Sequence, residues 1–171
     1  MDDRTELRHV LARFASGVTV ITVDIDGHPH GMTANAFMSG SLDPRLIVVS
    51  VAMSARTHAA IQATGAFGVS ILSADQIADA ACFAGRGPAF SGTFEIRAGV
   101  PVIASSLAWL AARVDSTHVV GDHTLFVGEV QELGTTPDAG PPLAYYGGTF
   151  CGVRELAQAP MPHGWYAELW G

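Results

Sequence analysis

The chain is poor in cysteine, in charge and in uninterrupted apolar runs. Cys82 and Cys151 are its only cysteines. They are too few for a disulfide framework or a cysteine-rich zinc cluster, so a reduced compartment is the expected setting. Charged side chains make up 15% of the 171 residues, and 9 basic against 16 acidic groups give a net charge of −7. Without a general positive field, nucleic acid is not an expected partner. Small anionic ligands stay within reach, because a helix N-terminus or a few aimed backbone amides bind phosphate locally. Apolar runs such as Leu46 to Met53 break well before the ~20 residues a spanning helix needs, so no membrane segment is expected. The opening MDDRTELRHV is acidic and amphipathic, unlike the basic-then-apolar start of a secretory signal. Cytoplasmic localisation follows by elimination.

Catalytic signatures are equally scarce. The chain has no G-x-S-x-G elbow, no Walker loop and no G-x-G-x-x-G fingerprint, so hydrolase, P-loop and Rossmann chemistry lack support. Seven histidines are present, His28 and His30 being the tightest pair. They stand beside Pro29 with no carboxylate or cysteine at a recognisable ligand spacing, so no metal is expected.

What the chain does have is apolar substance: 49% of residues are hydrophobic, enough for a continuous core in one domain spanning 1–171. Leu7, Val10, Leu11 and Phe14 recur at helical spacing behind Asp2 and Asp3, which predicts a helix over residues 3–16. VTVITVDI (18–25) is rich in β-branched residues and runs into Asp26-Gly27, a hairpin dipeptide, with a return strand from His30 to Phe37. LIVVSVA (46–52) reads as a strand covered on both faces. Thr57 is a candidate cap for a short helix ending near Gly65. FGVSIL (67–72) alternates like a strand, and Ser73 with Gln76 forms a capping-box pattern for a helix through Ala84. Gly85, Gly87, Pro88 and Gly92 mark a loop, residues 107–133 form a long hairpin around Gly121-Asp122, and 134–142 resembles a linker. Six or so strands without regular βαβ alternation predict a closed antiparallel barrel with helices packed outside.

Four groups of residues carry candidate chemistry. Thr33, Asn35, Ser39 and Ser41 place small polar side chains in a short strand-to-loop region, as the carbonyls and ring nitrogens of a flat heterocycle require; turn formation explains the same letters. Ser54, Arg56 and Thr57 precede a helix, where free N–H groups and a guanidinium meet a phosphate; a plain N-cap with a solvated arginine is the alternative. Gly121-Asp122-His123 is either turn chemistry or a hairpin that holds His123 over a ligand. Tyr145-Tyr146-Gly147-Gly148 offers flat stacking surface or barrel packing.

In order and approximate spacing, FASGVTVITV, GMTANAF followed by S-x-SLDP, the S-V…S-x-T stretch ending at Thr57, Gln76, CFAG, GDHTLFVGEV and PLAYYGG resemble the flavin reductase-like family over residues 8–153. These are FMN-binding split-barrel proteins that supply reduced flavin to two-component monooxygenases. The resemblance implies a mostly β, antiparallel Greek-key split barrel with a few peripheral helices. Thr33, Ala34, Asn35, Ala36 and Phe37 would line the isoalloxazine, and Ser50, Val51, Ser54, Arg56 and Thr57 the ribityl and phosphate. Ala84 and Gly85 would give a backbone contact to the flavin. Ser39, Ser41, His123, Tyr145, Tyr146 and Gly147 would lie where a nicotinamide dinucleotide folds over the flavin, with His123 as the catalytic residue. FMN is the implied flavin, with FAD as a variant, and NADH or NADPH the hydride donor. A homodimer and an oxygenase component that receives reduced flavin by diffusion are the implied partners. An FMN-binding electron carrier of the same barrel, without nicotinamide chemistry, is the alternative, and a structural dimer without flavin the remoter one. Arg45, Ser70 and Gly148 depart from the family pattern, in which proline, asparagine and a basic residue are usual. The tail beyond residue 153, with Trp165, Tyr166 and Trp170, has no counterpart; it would cover the active site, brace the dimer or lie on a neighbouring surface.

Overall fold

The computed structural model describes residues 2–154; the expectations attached to Trp165, Tyr166 and Trp170 lie outside the described residues. Helix α1 (Asp3–Leu11) begins where the Asp2 side chain accepts the Arg4 N–H at 2.6 Å, pairing a donor that a helix start leaves free. It stops short of residue 16 because Ala12, Arg13 and Phe14 leave through turns. None of its residues is buried.

Strands β1 (Ser16–Gly17), β2 (Thr19–Ile25) and β3 (His28–Ala34) follow. Asp26 and Gly27 take φ of 54° and 79°, the two positive angles that the Asp-Gly hairpin turn demands. The expected return strand to Phe37 is broken: β3 ends at Ala34 and a separate strand, β4 (Phe37–Leu42), begins after Asn35 and Ala36. The break has a geometric reason. With β5 (Arg45–Ala52), β6 (Ala66–Ile71), β9 (Ala108–Val120) and β10 (His123–Thr135), these strands form a seven-stranded sheet in the order β3-β2-β6-β9-β10-β5-β4. β3 and β4 are therefore its opposite edges, yet two residues join them. Those residues span at most ~10 Å, so the sheet curls until its edges meet at Asn35-Ala36. The Ser50 N–H donates to the Ala36 carbonyl at 3.0 Å and carries the β4–β5 ladder up to the seam. The barrel is closed at this point and unpaired elsewhere along the two edges.

Inside lie Ile21, Val23, Ile47, Val49, Val51, Phe67, Val69 and Phe126. Each large apolar side chain removed from water contributes ~1.5–3 kcal/mol. Gly128 on β10 has a packing reason: a Cβ there would stand 2.6 Å from the Phe67 ring. β5 alternates, with Ile47, Val49 and Val51 inward and Val48, Ser50 and Ala52 half-buried on the outside. This corrects the expectation of a strand covered on both faces; a barrel strand has one dry face and one that outer elements only partly shield.

Helix α2 (Arg56–Thr64) ends, as expected, at Gly65 in the left-handed conformation. Its cap is not Thr57 but Ala55, which offers no side-chain bond; Thr57 falls one residue into the helix and is buried. The Gln76 side chain accepts the Ser73 N–H at 3.1 Å, and the turn Ala74–Gln76 leads into α3 (Ile77–Phe83). Two hairpins escaped the sequence reading: β7 (Phe94–Arg97) with β8 (Val100–Ile103), and β11 (Leu143–Tyr146) with β12 (Thr149–Gly152). Their strands are four residues long, one carries Pro101, and the turn after β11 is Gly147-Gly148. The described residues thus contain twelve strands where about six are expected. The added strands and α3 wrap the outside of the barrel around a second apolar cluster of Val18, Val20, Leu72, Ala80, Ile103 and Leu143.

Candidate functional site

Strand β3 presents alternate residues to two layers. Met32 and Ala34 pack toward the barrel interior, while the Thr33 hydroxyl donates to the Ala80 carbonyl of α3 at 2.6 Å. This bond sets α3 against the outer face of β3 just before the seam. α3 ends in a left-handed Gly85 (φ 71°), with the Gly85 N–H on the Cys82 carbonyl and the Arg86 N–H on the Ala81 carbonyl, both at 2.9 Å. That pair of bonds is the Schellman termination, for which glycine is suited because it has no Cβ to clash. The N–H groups of residues 84–86 are thereby spent inside the cap. Among the described residues, the Ala84 and Gly85 carbonyls accept no hydrogen bond and the Asn35 side chain makes none.

Between these elements lies a cleft of about 660 Å³. Thr33, Ala34 and Asn35 form one wall, Phe83, Ala84 and Arg86 a second, and Tyr145, Gly148 and Phe150 a third. The aromatic walls are braced: Tyr145 meets Phe150 edge-on at 5.7 Å, and Phe83 packs on Phe90 at 5.1 Å. Flat apolar surfaces with an unpaired amide and unpaired carbonyls at the rim suit a planar heterocycle that carries both donors and acceptors.

A second region gathers on the far side of β5, near the same end of the strand. His123 pairs with Ala52 in the β5–β10 ladder, and the Met53 N–H donates to the Asp122 carbonyl at 3.0 Å, so the tip of the β9–β10 hairpin is fastened to the loop before α2. The Asp122 carboxylate, which only accepts, takes a hydrogen bond from Nδ1 of His123 at 2.7 Å. That bond holds the exposed Asp122 carboxyl below its ordinary range, and it leaves Nε2 of His123 for a ligand. Below the tip, Nε2 of buried His58 bonds the Thr124 hydroxyl at 2.8 Å and the His58 ring meets Phe126 edge-on, tying α2 to β10. His123 and Ala36 flank β5 on opposite sides, two residues apart along it. Strand spacing and rise put their Cα atoms about 12 Å apart.

Not every residue singled out from sequence stands in the same place. Thr33, Ala34, Asn35, Ala84 and Tyr145 share the cleft. Ala36 and Ser50 meet at the seam, with Phe37 turned into the core. Val51 and Thr57 are buried as whole residues, so neither presents its side chain to a ligand at the surface. Arg56 opens instead onto a smaller cleft of about 460 Å³, with Ile25, Asp26, His28, Pro29 and His30. Exposed Ser54 stands just ahead of α2, and exposed Gly85, Tyr146 and Gly147 are chain neighbours of cleft residues without lining the cleft themselves. Ser39 and half-buried Ser41 lie on the edge strand β4, outside both clefts. The sequence reading missed Val18, Met32, Phe83, Arg86, Thr149 and Phe150 in the larger cleft. The apolar ones carry the same letters as core residues, and only the short β11–β12 hairpin brings Thr149 and Phe150 around.

A curled antiparallel sheet with a cleft at its seam and short hairpins wrapped outside defines a split β-barrel, and the comparisons with known proteins make that class specific. The chain matches the flavin reductase like domain over residues 11–154 and belongs to that family. It is 45% identical over 156 residues to an NADH-dependent flavin reductase of a Rhodococcus species, covering 89% of this chain and 88% of that one. It is 39% identical over 139 residues to the reductase component of 4-hydroxyphenylacetate 3-monooxygenase from Thermus thermophilus, covering 81% and 89%. Its fold superposes on the styrene monooxygenase flavin reductase of Pseudomonas putida with a TM-score of 0.80 at 37% identity, over 88% of this chain and 99% of that one.

Proposed function

We propose that the chain is an NADH-dependent flavin reductase that supplies reduced flavin to a separate oxygenase. The observation that carries this reading is the cleft at the barrel seam, where Thr33, Asn35 and Ala84 line an aromatic-walled space. The set fits a flavin: the isoalloxazine is flat, with N–H and carbonyl groups along its rim. When bound, a flavin accepts at N5 the hydride that leaves C4 of a dihydronicotinamide.

The residues then have distinct tasks. Thr33 holds α3 in place through its bond to Ala80, and so sets where the Ala84 and Gly85 carbonyls accept from the ring. Ser54, Arg56 and the first N–H groups of α2 take the flavin phosphate. His123, oriented by Asp122, positions the nicotinamide through Nε2. Hydride transfer needs stacked rings with reacting atoms ~3–3.5 Å apart and no protein acid, base or nucleophile, consistent with the absence of a triad among these residues.

FMN is the proposed flavin and NADH the proposed donor; the relatives named above are NADH-dependent or monooxygenase reductases. A homodimer belongs to the same proposal. It is supported by exposed Met38 and Leu42 on the edge strand β4, apolar side chains beside Ser39 and Ser41 that a second copy would cover and so bring those serines to a neighbouring site. Free Cys82 and Cys151 fit the proposed cytoplasmic setting. Steady-state NADH oxidation with FMN, FAD and riboflavin tests the reading, with flavin-dependent turnover expected; flavin that binds without being reduced would favour the electron carrier.

A further inference from the structure

Helix α2 starts in an electrostatically awkward way. Its cap, Ala55, supplies no side-chain acceptor, its first turn holds no acidic residue, and its first residue is Arg56. Free N–H groups and the positive end of the dipole favour an anion there, and a cation adds to the unfavourable charge. Arg56 makes no ion pair among the described residues, although Asp26 lines the same cleft. The chain contains no lysine, so its arginines and histidines supply all its side-chain cations. Across the cleft from Arg56 stands half-buried His30 on β3, with His28 at the start of the same strand and Asp26 in the turn before it.

We propose that His30 is a second ligand of the flavin phosphate: the phosphate sits at the start of α2 between Arg56 and His30, and His30 takes up a proton as it binds. This rests on the flavin reading above and adds a proton-linked residue to it. The charged and titratable groups facing His30 are Arg56 from α2, Asp26 from the β2–β3 turn and His28 at the start of β3. In the free protein, burial and then Arg56 hold the His30 imidazole below its ordinary value of 6.5, so at neutral pH the ring is uncharged and accepts no anion well. A dianion between the two groups reverses the second cause and favours the charged ring. Binding therefore strengthens as pH falls from about 8 to about 6, until the phosphate itself protonates near ~6.

The test is NMR titration of the His30 imidazole in the full chain, alone, with inorganic phosphate and with FMN. It is paired with FMN and riboflavin dissociation constants for wild type, His30→Gln and Arg56→Ala at about pH 6 and about pH 8. The expected result is a His30 pKa raised by about one unit with FMN. His30→Gln should bind FMN about tenfold more weakly at the lower pH, with less than about a twofold change at the higher and riboflavin unaffected. A His30 resonance unmoved by FMN, while Arg56→Ala still separates FMN from riboflavin, overturns the role of His30 and leaves the phosphate at α2. A response to inorganic phosphate and not to FMN overturns the flavin as the source of the anion. If neither variant separates FMN from riboflavin, the phosphate lies elsewhere and the proposal falls. Wild type that reduces neither flavin with NADH would instead defeat the reductase reading.

Discussion

The inside of the barrel and the layer wrapped around it are held together by different means. The interior is sealed by large apolar side chains such as Phe67 and Phe126, with Gly128 left bare because the Phe67 ring fills the space a side chain would need. The outer layer is fastened by hydroxyl and amide ties at intervals. Thr22 donates to the Pro101 carbonyl, Ser70 accepts from the Ile103 N–H at 2.9 Å, and Thr33 donates to the Ala80 carbonyl. Continuous packing leaves no room, whereas ties at intervals leave clefts between them. The larger cleft opens where the outer elements meet β3, and the smaller where α2, whose Ala60 and Ile61 pack into the interior, meets the β2–β3 hairpin, so the barrel supplies rigidity and the elements added to it supply the sites.

If that division is right, substitutions inside and outside should fail differently. Phe126→Ala should cost about 3–5 kcal/mol of unfolding free energy, measurable by urea denaturation, while protein that stays folded still binds FMN. Arg56→Ala should do the reverse: stability nearly unchanged, and FMN affinity down by about 1.5–3 kcal/mol with riboflavin unaffected, by fluorescence titration. His123→Ala should raise KM for NADH or lower the hydride-transfer rate by the ~0.5–1.5 kcal/mol of one neutral hydrogen bond, with the FMN Kd unchanged. Thr33→Val sits on the boundary. Its lost tie to Ala80 should cost about 0.5–1.5 kcal/mol of stability and, by loosening α3, weaken FMN and riboflavin alike. Equal losses of stability and affinity in every variant would show that core and wrapping act as one unit.

The same division explains what could be read from sequence. Interior strands announce themselves: Val18 to Ile25 and Leu46 to Ala52 are dense in β-branched residues, and the Asp26-Gly27 turn needs no tertiary context. A polar cluster at a strand end pointed to Thr33 and Asn35, while Ala84 came only from the family resemblance. The outer layer was harder, because β7, β8, β11 and β12 are short and lean on the barrel for their stability. The split of the return strand at Asn35-Ala36 has no local signal at all; it follows from the closing of a sheet whose edges are β3 and β4. Thr57 shows the opposite error, since threonine before a helix suggests a cap while the fold instead buries it one residue later. His30 looked like half of an unconvincing metal pair, and only the position of Arg56 across the cleft gives it a partner.

The most direct measurement is rapid mixing of NADH with the protein and FMN in the absence of oxygen, following loss of the oxidised-flavin absorbance. The account predicts NADH-dependent bleaching far faster than in a protein-free mixture, with Arg56→Ala requiring more FMN to reach the same rate while reducing riboflavin as wild type does. Flavin that binds tightly and keeps its colour in the presence of NADH would contradict it.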